Sequence, residues 1–137
     1  MALQFSTAIR NAMLNTMRDT TGTTPKLNVY SGSIPQDTAA GATGTLLAQL
    51  NAYDSNSAFL GSAANGSISK GAWPYTQAIA QGTAGYFRIT NSGGTTCHMQ
   101  GTITLTGGGG DMTFDDITLE VGQPIVITGF TVNAGGA

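Results

Sequence analysis

Residues 82–114, GTAGYFRITNSGGTTCHMQGTITLTGGGGDMTF, carry the pattern on which the fold depends. Over 84–90 the side chains alternate, with Phe87 and Ile89 on one face and Tyr86, Arg88 and Thr90 on the other. A period of two is that of a half-buried β-strand. Asn91-Ser92-Gly93-Gly94 follows, residue types that tolerate positive φ, so the chain is expected to reverse there. A second alternation sets Cys97, Met99, Gly101, Ile103 and Leu105 against His98, Gln100, Thr102 and Thr104. Gly107 to Gly110 end it, as a flexible hairpin tip or bulge, and Met112 and Phe114 restart the apolar pattern. The stretch predicts a β-hairpin running into a third strand.

Working outward, residues 1–17 form the one convincing helix. Ser6 can cap it, and Ile9, Ala12, Met13 and Met17 recur at helical spacing. A helix this short is marginal alone, so it either covers one end of the sheet or reaches a partner as an arm. Two units are expected: residues 1–18 as the N-terminal helix or arm, and 19–137 as a β-sandwich domain. Residues 19–25 are a turn with Gly22 at positive φ, and 26–30 a short strand with Leu27 and Val29 inward. Residues 31–45, rich in Gly, Ser, Ala and Pro, form a long loop, of a length that is usually functional or mobile. Over 46–53, Leu46, Ala48, Leu50 and Ala52 oppose Leu47, Gln49, Asn51 and Tyr53. Residues 58–60 make a short apolar contact, 63–70 a linker anchored by Ile68, and Trp73-Pro74-Tyr75 an aromatic knot away from any central strand.

Past the central stretch, Ile117, Leu119 and Val121 alternate with Thr118 and Glu120, and Gly122-Gln123-Pro124 turns the chain. Residues 125–132 close the fold as an interior strand, apolar on both faces, and 133–137 are a flexible tail. Seven or eight short strands punctuated by turns predict an all-β, single-domain β-sandwich, jelly-roll-like, with one short N-terminal helix.

Composition narrows the function. Charged residues are 9% of the 137, against roughly 25% in an average domain, and the net charge is −2. Arg10, Arg18, Lys26, Lys70 and Arg88 are scattered, so no nucleic-acid partner is expected. One cysteine excludes an internal disulfide. No stretch approaches the roughly 20 apolar residues of a spanning helix, and no signal-peptide core is present, so no membrane partner is expected, and the chain is expected to be made and kept in the cytoplasm or released by lysis.

The residues that could carry chemistry do not converge. Cys97 and His98 are adjacent on a strand and face opposite sides, so they cannot pair as nucleophile and base. Asp111, Asp115, Asp116 and Glu120 could in principle hold Ca²⁺ through oxygen ligands, but they read as a solvated edge or a patch for a basic partner. Neighbouring Asp115 and Asp116 would not flank one sugar bond. Gly107 to Gly110 lack the Lys-Ser or Lys-Thr of a phosphate-binding loop, and no G-x-S-x-G element appears. The expectation is a chain that is no enzyme and takes no cofactor or metal.

Four segments together resemble small virion accessory proteins of tailed bacteriophages, of the capsid decoration or cement type. They are LQFSTAIRNAML (3–14), KLNVYSGSIP (26–35), the 82–114 stretch and GQPIVITGFTVNAGGA (122–137). The resemblance implies a non-enzymatic protein on the capsid surface of a virion. It would bridge major capsid protein subunits and sit as a homo-oligomer on capsid symmetry axes. The resemblance assigns no binding residue. From the sequence itself, Leu3, Phe5 and Ile9 of the N-terminal segment and Ile34 and Pro35 of the long loop are the candidate partner-binding residues, being least anchored by the strand pattern. The alternative is a tail-tip or receptor-binding module that stacks host-surface glycans on Trp73, Tyr75 and Tyr53.

Overall fold

The computed structural model describes residues 3–53 and 59–136. Met1, Ala2, Ala58 and Ala137, placed by sequence in the helix, the short apolar contact and the tail, lie outside the described residues. In chain order the elements are α1 (Thr7–Thr21), β1 (Lys26–Ser31), β2 (Leu46–Asn51), β3 (Ser67–Ser69), β4 (Thr76–Gln77), β5 (Gly82–Thr90), β6 (Cys97–Leu105), β7 (Met112–Phe114), β8 (Thr118–Leu119), β9 (Pro124–Ile125) and β10 (Ile127–Asn133). The described chain is mostly β, built around one large mixed sheet in the order β2-β1-β5-β6-β7-β10-β3. β8 pairs with the start of β5, and β4 with β9.

Apolar residues at every second position set the register of the central ribbon. Leu27 lies opposite Ile89, Val29 opposite Phe87, and Phe87 opposite Gly101. The sheet then curls back on itself. Laid flat, β5 and β10 would be three strand spacings apart, roughly 14 Å. Yet the rings of Phe87 and Phe130 meet edge to face, 5.4 Å apart. Met112, Phe114 and Ile68 join them in a single core.

Two of the four register shifts among the described strands, past Ile89 and, against β2, past Val29, change faces read from the alternation. Past Ile89 the partner register jumps from Met99 to Cys97, leaving His98 as the extra residue. Cys97 therefore points to the side of Arg88, where its sulfur accepts from Arg88 Nε, and does not share a face with Met99. Past Val29 the register jumps from Ala48 to Leu46, so Leu47 is the extra residue and is fully buried. One inserted residue flips every later side chain, and a period-two pattern carries no signal for it.

The glycine run is not a hairpin tip. β7 runs parallel to β6, with Ile103 opposite Met112 and Leu105 opposite Phe114. Parallel neighbours ordinarily need a crossover of about a dozen residues or more; here residues 106–111 suffice. Gly107 and Gly109 take φ of 85° and 84°, and a Cβ on Gly108 or Gly110 would stand 2.8 Å from Thr104 Oγ1. The Asp111 carboxylate closes the loop by accepting from the backbone N–H and the hydroxyl of Thr102.

Residues 63–70, expected as a linker, contain β3. Asn65 and Gly66 both take positive φ, the pair of conformations a tight type I′ turn requires, and Ala64 and Ser67 exchange two backbone hydrogen bonds across them. Ile68 then pairs opposite Val132. The closing strand expected over 125–132 is split. β9 pairs with β4, β10 lies between β7 and β3, and exposed Val126 marks the break.

α1 starts at its predicted cap, Ser6 Oγ accepting from Ile9 N, but runs to Thr21 rather than Met17 before Gly22 ends it at φ 99°. It is docked. Arg10 Nε donates to Ala134 O and Arg18 Nη1 to Gly61 O, while the side-chain oxygens of Asn11 and Asn15 accept from the N–H groups of Gly66 and Ala63. Leu14 enters the core. The tail is tied down as well, since Phe5 N donates to Gly136 O and Ala134 N to Gly66 O.

If the Phe87–Phe130 contact holds the curl closed, Phe87→Ala should cost about 3–5 kcal/mol in denaturant unfolding. Val121→Ala, at a residue 71% exposed, should stay within about 0.5 kcal/mol of the parent. Equal effects from the two substitutions would refute the contact's role.

Candidate functional site

Two surfaces are built from the sequence-predicted residues, on different elements. The first is the flank of α1. Ile9, Met13 and Met17 lie one turn apart along the helix. Met17 turns into the sheet, where it shares a cleft of about 380 Å³ with Phe87, Met99, Phe130 and Val132. Ile9 and Met13 stay outside, 49% and 42% exposed, beside the docked arc of Arg10, Leu14 and Arg18. Leu3, 73% exposed, and Phe5 precede them. The helix therefore turns its polar anchors toward its own domain and leaves an apolar stripe open, leading down to a cleft floored by aromatic and methionine side chains. Met13 stood in the helical spacing but not among the candidate contact residues, and the cleft, built from residues far apart along the chain, has no local sequence signal.

The second surface is the outer face of β1, β2, β5 and β6. Residues 31–45 lie across it as a strap. Ser31 and Thr45 close its base through two bonds, Ser31 N to Thr45 O and Thr45 N to Ser31 Oγ, each 3.0 Å. Thr43 N donates to the Tyr86 hydroxyl, which donates in turn to Thr43 O. Gln100 Nε2 donates to Pro35 O at 2.9 Å, and Arg88 reaches the carbonyls of Thr38 and Ala40. The loop expected to be loosely anchored is thus strapped to its own sheet. Of its two candidate contact residues, Ile34 is exposed and Pro35 is half-buried.

Beneath the strap lies a second cavity of about 380 Å³, lined by Asn28, Tyr30, Gln49, Arg88, Thr90, Thr95 and Cys97 among others. The Tyr30 ring stacks on Tyr86 with centroids 5.1 Å apart. Burial first, and then the neighbouring Tyr86 phenol, raise the Tyr30 pKa above its ordinary value, against an opposing pull from Arg88.

The remaining sequence candidates are dispersed. Asp111 is held by Thr102, while Asp116 accepts from Thr118 N and from Gln123 Nε2. Among the described residues no three His, Cys, Asp or Glu side chains converge on a possible metal position. Trp73 stacks on Phe59 at 6.0 Å and donates its indole N–H to Phe59 O. Tyr75 is 65% exposed, Trp73 and Tyr53 are half-buried, and Trp73 and Tyr75 line one pocket of about 200 Å³ with Ile125. Among the described residues no helix is long and apolar enough to cross a membrane. Compared with known proteins, the chain matches no family model, no curated protein and no solved structure.

The raised Tyr30 pKa fixes a sign. Above its ordinary value near 10, the unfolded chain loses the phenolic proton first, so it binds fewer protons than the folded one. Stability should therefore fall as the pH rises through about 10 toward the folded value, and the fall should be smaller in Tyr30→Phe. Denaturation midpoints between about pH 8 and pH 11 check this; identical slopes in the two proteins would contradict it.

Proposed function

We propose that this chain is a non-enzymatic virion structural protein, a decoration protein that stabilises a phage capsid by bridging major capsid protein subunits. Copies would sit on the outer surface around the head's symmetry axes, related by one repeated contact. The observation that carries this reading is the mounting of α1. Four polar side chains fix the helix to its own domain, yet Ile9 and Met13 stay exposed, two turns and one turn from Met17, which lines a cleft with Phe87, Met99 and Phe130. A stripe held rigid before binding loses little conformational freedom on association, which favours affinity. In a chain with 9% charged residues, attachment then rests on apolar area rather than on ion pairs. The likeness of the four segments to capsid decoration proteins supplies the partner. The β-sandwich interpretation belongs to the same proposal. The edge-to-face contact of Phe87 with Phe130, which brings β10 over β5, supports it, and the parallel β6–β7 pair is a departure from a jelly roll.

Because Leu14 and the four polar anchors belong to α1, deleting residues 1–18 is expected to destabilise the domain as well as to abolish binding. Point substitutions separate the two effects. Ile9→Asp with Met13→Asp should weaken binding to heads lacking the protein by about tenfold or more, the scale of one buried apolar side chain, with the melting temperature unchanged. Wild-type attachment should persist at about 1 M salt, where surface ion pairs are screened. A folded double variant that binds heads as tightly as the parent removes the α1 stripe as the contact.

A further inference from the structure

Arg88 is the one charged side chain buried among the described residues, 6% exposed. Its Nη1 donates to Ala40 O at 2.8 Å, its Nη2 to Thr38 O at 2.7 Å and its Nε to Cys97 Sγ at 3.2 Å. Two of these partners are backbone carbonyls and the third is a cysteine sulfur that itself donates to Met99 O, and they engage three of the five N–H groups a guanidinium carries. Among the described residues the one ion pair is Arg18 with Asp19, so no described carboxylate lies within ion-pair distance of Arg88. Asp37, the strap's own acid, has Oδ1 occupied by the N–H groups of Ala39 and Ala40. A cation removed from water without a counter-charge is costly, and this one borders a cavity of about 380 Å³, a size that admits a small molecule.

The lining narrows the chemistry. Asn28, Gln49, Thr90 and Thr95 contribute amides and hydroxyls, Tyr30 a phenol held in its protonated form, and no second cation is present. One fixed positive charge suits a monoanion better than a phosphate dianion, and a planar guanidinium matches a carboxylate. The neutral polar walls suit a ligand that carries hydroxyl groups. We propose that the cavity beneath the 31–45 strap binds a small hydroxylated monocarboxylate, of the sugar-acid class, with its carboxylate on Arg88. This site is separate from the α1 stripe, and neither depends on the other.

Isothermal titration of the full chain with glucuronate tests it, with glucose and inorganic phosphate as comparisons. Saturable glucuronate binding is expected, with phosphate weaker by about tenfold or more and glucose giving no heat of binding. Arg88→Gln could loosen the strap, so the deciding variant is Ala39→Asp, which adds a tethered carboxylate on the wall of the cavity and keeps Arg88. It should abolish glucuronate binding and raise the melting temperature by supplying the missing counter-charge. Absent glucuronate binding, glucose or phosphate bound as tightly, or unchanged affinity in folded Ala39→Asp would each overturn the proposal.

Discussion

Every residue from Tyr86 to Thr90 is buried, so the centre of β5 has no solvent face, and both sides of that strand must be covered. Phe87 and Ile89 require an apolar lid. The chain supplies it by curling the sheet until Phe130 stands over Phe87, with the glycine loop at 106–111 making the tight parallel turn that the curl needs. Tyr86, Arg88 and Thr90 require a polar lid. The strap supplies it as carbonyl oxygens and a backbone N–H, because a buried arginine and tyrosine need hydrogen-bond partners more than apolar area. The long loop is ordered for the same reason that β5 is buried.

A neutral surface carries a risk, since open sheet edges without charges invite pairing with other chains. Here the edges are occupied. Ile79 N donates to Leu47 O and the Thr76 hydroxyl to Gln49 O along β2, and Gly61 N donates to Ser69 O along β3. With both edges blunted, exposed apolar residues remain at Tyr75, Ile79, Val121 and Val126 and on the apolar flank of α1. Its position beside the tied chain ends is rigid, since Arg10 and Phe5 bond to the backbone of residues 134 and 136.

Much of this was legible in the residues. The alternation at 84–90, the Asn91–Gly94 reversal, the Ser6 cap and the strand at 26–30 are local patterns with local causes, and they appear where the pattern puts them. What failed was long-range or cumulative. Bulges at Leu47 and His98 break the period invisibly, and the direction of β7 depends on how four glycines wrap Thr104, not on alternation. The Asn65-Gly66 turn was a readable hairpin signal that a polar setting obscured. For α1 the apolar spacing was sound, but its orientation was set by Arg10, Asn11, Asn15 and Arg18, whose partners lie far along the chain. The cavity under the strap has no sequence signature, because it arises only when residues 38–42 close over β1 and β5.

The most direct test of the capsid role is a cryo-EM reconstruction of purified virions carrying this chain. The account predicts density for it over the head, repeated about the symmetry axes, with the Ile9 and Met13 flank of α1 pressed against the shell. Density confined to the tail, or head-bound copies with that flank turned to solvent, would contradict it.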